Sequence, residues 1–313
     1  MVPLLLLSAC SASAPVAHHR VLTVAQAETT LWPGEIQVAY QPPTEQQRRS
    51  FDELVQALWR GVVPGRAPEL VALATRAGMV LELWTIAERP TWVVREAPRS
   101  QHGFGIYMFH AAPIPPGRPI LLQAPHVYFD LRTQSVAAAM FWGRDVPAEV
   151  HGLFANSVHR FQQAEGVRGK LRFNPADVAH NSEHPFQNAT AVVMTHGPVV
   201  VIQLHGFDGE TNETAAAIVS ASRPEGSTEE SSRVATSLAS ALGITVARYP
   251  EDTQALGGLD NVQGRLAALF STTRFIHIEL QLGVRKQLAD GAVAQRWLRA
   301  LVDELAAVRP PKP

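Results

Sequence analysis

The chain has 313 residues, 46% of them hydrophobic and 18% charged, with a formal net charge of -1. This is the profile of a soluble globular protein with enough chain for a full-sized core. The near-neutral balance and the lack of a basic stripe exclude the electrostatic footprint of a nucleic-acid binder. A single cysteine, Cys10, excludes any intramolecular disulfide.

The chain begins with "LLLLSAC", a short leucine run followed by small residues directly before Cys10. That arrangement resembles a bacterial lipobox, in which cleavage precedes a cysteine that then carries lipid. The segment is shorter than usual and has no basic residue near Met1, which departs from the pattern. The expectation is a signal segment over 1–10, lipidation at Cys10 and a flexible tether over 11–31. Membrane contact would come only through that anchor, outside the cytoplasm in a bacterial envelope. No other segment approaches the ~20 apolar residues of a spanning helix.

Residues 32–313 read as one α/β domain. "EIQVAYQ" alternates like a strand from Glu35 to Gln41, and "TEQQRRSFDELVQALWRGVV" is an amphipathic helix with Phe51, Leu54, Val55 and Leu58 on one face. A short helix is predicted over Ala67–Ala77. The runs "VLELWTIA", "TWVVREA", "GIYMFHA" and "PILLQAP" are strands punctuated by Pro and Gly. A helix over Gln134–Trp142, a strand over Val150–Phe154 and a helix over Phe186–Met194 follow. Next come the strand "PVVVIQLHG", the strand "AAAIVSAS", the helix "STEESSRVATSLASALG" and the strand "ITVARY". In the "STEE" at the helix start, the pattern resembles a capping box. "FIHIELQL" is the last strand and "AVAQRWLRALVDELAAV" the closing helix. Strands alternating with helices predict a mostly parallel or mixed central sheet covered by helices on both faces.

In open α/β sheets the site lies where loops leave the carboxyl ends of strands. Three strands end in groups suited to metal chemistry. "ILLQAPHVYFD" carries His126 and Asp130, "PVVVIQLHGFDG" carries His205, and "FIHIELQLGVR" carries Glu279 with Arg285 behind it. Two imidazoles and a carboxylate are the usual protein ligands of a catalytic zinc. A separate carboxylate must then move the water proton to the leaving amine, and Glu279 is the candidate.

"APHVYFDLRT", "IQLHGFDG" and "FIHIELQLGVRKQL" resemble the zinc sites of phage poly-gamma-glutamate hydrolase and its bacterial relatives. These belong with N-formylglutamate amidohydrolases to the zinc-carboxypeptidase-like (phosphorylase/hydrolase-like) fold group. The resemblance covers roughly Ile120 to Leu288. It implies His126, Asp130 and His205 as zinc ligands and Glu279 as general base. The implied substrate is peptide-like or an N-acyl amino acid, with N-acyl and gamma-linked glutamyl compounds the first to test. Asp130 stands where that family has Glu, and Val127 and Tyr128 replace the glycines that follow its first His. The rival from another class is a lipoprotein that keeps the fold but only binds a ligand or partner.

Other readings stay open at this stage. "HNSEH", His180 to His184, matches the inverted zincin pattern, but Pro185 and the turn formers Asn181 and Ser182 argue against a shared helical face. The expectation is instead a loop bordering the pocket, with His180 or Asp177 helping to bind substrate. Asn261 and Arg265 of "NVQGR" are candidates to hold a substrate carboxylate or an oxyanion, against a plain helix start with an exposed arginine. Arg285 has the choice between substrate and a salt bridge. "NSVHR", Asn156 to Arg160, follows a short strand towards the site. No serine-hydrolase elbow, P-loop or dinucleotide fingerprint is present.

Overall fold

The computed structural model describes residues 18–34, 38–62, 67–97, 101–162, 174–209 and 214–307. Its strands are β1 (His18–Leu22), β2 (Val80–Ile86), β3 (Arg89–Arg95), β4 (Ile106–His110), β5 (Ile120–Ala124), β6 (Val150–Ala155), β7 (Val199–Phe207), β8 (Ala217–Ser220), β9 (Val246–Arg248) and β10 (Thr273–Gln281). The helices are α1 (Val24–Leu31), α2 (Glu45–Trp59), α3 (Ala67–Arg76), α4 (Thr133–Trp142), α5 (Pro185–Thr195), α6 (Glu229–Leu242), α7 (Val262–Ala267), α8 (Leu282–Leu288) and α9 (Gly291–Ala307).

All ten strands join one mixed sheet in the order β1-β2-β3-β4-β6-β5-β7-β10-β8-β9. The centre, β6-β5-β7-β10, is parallel, and antiparallel pairings flank it. Strands buried on both faces must be apolar throughout, and β5 is buried at every residue. The expected α/β architecture is the observed one.

Side-chain alternation divides the core in two. Even-numbered residues such as Leu122, Ile202, Leu204, Ile276 and Ile278 pack against α1, α4, α6, α8 and α9. Odd-numbered residues Leu121, Val199, Val201 and Phe275 pack against α2, α3, α5 and α7. Helix α4 is buried continuously from Val136 to Trp142, as a helix apolar on every side must be.

Three sequence readings need correction. The tether over 11–31 gives way at residue 18 to β1, paired parallel with β2, and to α1, which buries Ala27 and Leu31. A capping box between Thr23 and Gln26 starts that helix, whose small residues conceal its apolar stripe. Residues 1–17, and with them Cys10, lie outside the described residues. The strand over Glu35–Gln41 is reduced to an isolated bridge at Tyr40, with 35–37 outside the described residues. The capping box of α6 joins Thr228 to Ser231, one position beyond the Ser227–Glu230 spacing.

Candidate metal centre

The odd-numbered face changes character towards the carboxyl ends of the central strands. Below, it presents Leu121, Val199, Val201 and Phe275; above, it presents Gln123, Gln203, His205, His277 and Glu279, all buried. Register aligns these residues across strands. In the parallel pairing of β7 with β10, Glu279 lies opposite His205 and His277 opposite Gln203, while Gln123 of β5 lies opposite Gln203.

His126 and Asp130 come from the turn that follows β5. The amides of Phe129 and Asp130 both donate to the His126 carbonyl, at 2.9 and 2.7 Å, so one tight turn folds Asp130 back over His126. The turn ends at Arg132, whose φ of 79° is uncommon for a residue with a Cβ. Asp130 Oδ2 is 3.3 Å from His126 Nδ1 and 3.4 Å from His205 Nδ1, and the two Nδ1 atoms are 3.1 Å apart. The Asp side chain therefore reaches both imidazoles despite being one methylene shorter than Glu.

The outer nitrogen of each imidazole is held from behind. His126 Nε2 donates to Asp177 Oδ1 at 2.9 Å, and Asp177 also accepts from Arg160 Nε at 3.0 Å and Nη2 at 2.5 Å. His205 Nε2 donates to Gln203 Oε1 at 2.7 Å. The Gln203 amide is oriented in turn, because its nitrogen donates to Gln123 Oε1 and Gln263 Oε1. With Nε2 protonated on both rings, each Nδ1 presents a lone pair, and the two lone pairs converge with Asp130. That donor set suits a cation, and the Arg160 guanidinium already lies 3.2 Å from His126 Nδ1. Four tetrahedral ligands at ~2.0–2.1 Å from zinc stand about 3.3–3.4 Å apart, close to the spacings seen here. A carboxylate or amide behind a ligating His is the usual support for such a site.

Charge follows the same pattern. Burial lowers the His126 pKa, but hydrogen bonds to Asp130 and Asp177 outweigh it and leave it raised. Burial pushes Asp130 upwards, and the His126 and His205 hydrogen bonds overcome that and hold it far below the usual carboxylate range. His205, buried and beside His126, falls to about 4. Burial, then the Asp130 charge, raises Glu279 well above the usual range. Its Oε2 is buried without a hydrogen-bond partner, and the Arg285 and Arg160 charges offset the rise only in part.

Two of the residues that the structure adds to the cluster carried weak signals in sequence. His277 lies two positions before Glu279 on the same strand face, its ring 4.5 Å from that of His205 and its Nε2 3.7 Å from Glu279 Oε1. Gln203 stands two before His205 in the same way. Both could have been found from the period-two alternation of a strand. Arg160, read as part of a segment approaching the site, and Asp177, read as helping to bind substrate, are in direct contact with His126: Arg160 Nη1 lies 3.2 Å from its Nδ1.

The remaining sequence candidates lie outside the His126–Asp130–His205 triad. His180 Nδ1 is 3.1 Å from Asp177 Oδ1, behind the cluster, and its ring stacks on His126 at 6.4 Å. His184 caps α5, accepting from the Phe186 amide, so "HNSEH" does not form one helical face. Asn261 is corrected from substrate binder to helix cap: its Oδ1 accepts from the Gln263 and Gly264 amides and its Nδ2 donates to Gln203. Arg285 is corrected likewise. It is buried, donates to the carbonyls of Leu131 and Phe207, and occupies space that only a glycine at 206 leaves open. Arg265 is exposed, 3.9 Å from Asp260.

No family model and no curated protein matches the sequence. Among solved structures the chain is similar to a metallo-carboxypeptidase from Pseudomonas aeruginosa, at 18% identity and TM-score 0.41, over 77% of this chain and 69% of that one. It is also similar to N-formylglutamate amidohydrolase from Ralstonia eutropha JMP134, at 14% identity and TM-score 0.37, over 62% and 98% of the two chains. A third is the murein-tripeptide amidase of Escherichia coli O157, at 12% identity and TM-score 0.35, over 67% and 92%. Similarity this distant says nothing about which atoms react in this chain.

Proposed function

We propose that the chain is a zinc-dependent hydrolase of amide bonds, acting on a peptide-like or N-acyl amino-acid substrate. The observation that carries this reading is the convergence of two imidazole lone pairs and one carboxylate, each imidazole locked from behind. His126, Asp130 and His205 would hold the metal, which when bound supplies an activated water and polarises the amide carbonyl. Glu279 stands opposite His205 in the register and takes the proton from water, then delivers it to the leaving amine. Asp177 and Gln203 keep the ligand rings in one tautomer. The lipobox-like start supports an extracytoplasmic setting on a lipid anchor at Cys10, and this belongs to the same proposal.

The test is metal content and turnover measured on the same preparations of the full chain. One zinc per chain is expected, lost in His126→Ala. Glu279→Gln keeps the shape of the side chain without its basicity, so zinc should stay while amide hydrolysis falls by roughly 10²–10⁴-fold. Zinc bound with no cleavage across a broad panel of capped peptides, N-acyl amino acids and esters would make the chain a binding protein instead.

A further inference from the structure

Beside the cluster lies an apolar surface that the reaction scheme does not use. Phe129, adjacent to Asp130 in the metal-facing turn, is 48% exposed, and Phe161, adjacent to Arg160, is 52% exposed. Their ring centroids are 5.2 Å apart at 66°, and the His159 ring completes a triangle at 5.8 Å from Phe129 and 5.3 Å from Phe161. The Arg160 guanidinium lies 5.3 Å from one phenyl centroid and 5.6 Å from the other, with its Nη1 at His126. Leu131, in the same turn as Phe129, is 57% exposed. Large aromatic side chains left in water, grouped and continuous with a polar cluster, mark an interaction surface rather than a core. Tethering through Arg160 holds these rings in place, because a guanidinium against ring faces is attracted electrostatically.

The arginines of the site speak against an acidic substrate. Arg160 is paired with Asp177, Arg285 is buried on two carbonyls, and Arg265 is turned to Asp260. Neither Arg160 nor Arg285 offers an uncommitted cation for a glutamyl carboxylate, whereas the aromatic surface offers offset or edge-on contacts to another ring.

We propose that the Phe129–Phe161 surface binds an aromatic group on the substrate, which makes the preferred substrate an amide bearing an aromatic side chain or acyl group next to the scissile bond. This rests on the hydrolase reading. It is tested on the zinc-loaded full chain by calorimetric titration with three hydroxamates: acetohydroxamate, 3-phenylpropionohydroxamate and the monohydroxamate of succinic acid. The phenyl compound should bind about tenfold or more tighter than acetohydroxamate, from burial of one ring against two. The acidic compound should gain nothing. Phe129→Ala with Phe161→Ala should bring the phenyl-to-methyl affinity ratio close to one with zinc content retained, and Phe129→Tyr should preserve the ratio. Equal binding of all three, or tightest binding of the acidic compound, overturns the aromatic preference and leaves the hydrolase reading standing. Binding of none overturns both.

Discussion

At the scale of single residues, the cluster works by fixing which nitrogen of each histidine faces inward. Asp177 and Gln203 do this by different means, one with a charge and one with an oriented amide. A buried histidine outside the cluster gives a test that metal does not complicate. His110 is buried and stacks on Phe141 at 4.2 Å and 12°. Burial first, and the Arg89 charge second, lower its pKa to about 3 from the usual 6.5. Between those values the unfolded chain binds a proton that the folded chain does not. Stability is therefore lost as pH falls from about 6.5 towards about 3, by up to about 1.4 kcal/mol per pH unit for one such group. His110→Phe keeps the stacked ring and removes the titration. Urea denaturation at several pH values should show a shallower acid limb for the variant, by about one proton. An unchanged slope would mean that His110 is protonated in the folded state.

At the scale of elements, a strand that is apolar for most of its length carries its chemistry at one end and on one face. Strand β7 does so with Gln203 and His205 at alternate positions, and β10 with His277 and Glu279. Gly206, next along β7 and on the opposite face, is a glycine for a steric reason. A Cβ there would stand 2.4 Å from the guanidinium carbon of Arg285, which is buried. Arg285 in turn donates to Leu131 in the turn that carries Asp130, at 2.6 Å. Gly206→Ala should therefore displace the guanidinium and cost about 1–3 kcal/mol in unfolding free energy, the range for overpacking. On the proposed zinc reading, affinity for the metal should fall with it, since the Asp130 turn loses an anchor. An unchanged urea midpoint would show that Arg285 relocates freely.

At the scale of the whole molecule, two apolar cores cover opposite faces of one sheet, and the polar cluster sits on one of those faces at the carboxyl ends of the central strands. The N-terminal segment contributes to that body. Ala27, Leu31 and Trp32 join the core, and Trp32 Nε1 donates to the Asn156 carbonyl at 3.3 Å. Fully burying one Leu-sized side chain is worth about 1.5–3 kcal/mol. A chain starting at Pro33 should thus melt at least about 5 °C lower, since each kcal/mol moves the midpoint of a large domain by roughly 2–4 °C. Equal melting temperatures would restore the reading of residues 18–31 as a tether.

The sequence by itself determined the elements with strong periodicity. The helix starting at Thr44, the central strands and the closing helix follow from apolar spacing that only one secondary structure can bury. It also determined the residue types of the cluster, because a histidine or glutamate inside an apolar strand has few structural excuses. Tertiary structure alone decided the rest. Strand β1 and helix α1 are short and poor in large apolar residues, and they become ordered by packing on β2 and α4. Asn261 and Arg285 look available in sequence, but their partners come from distant segments: Gln203 for one, Leu131 and Phe207 for the other. Which side chains meet is set by the order β5-β7-β10 and by the register between those strands. Neither can be read along the chain, because hydrogen bonding between strands is indifferent to how far apart they lie in sequence.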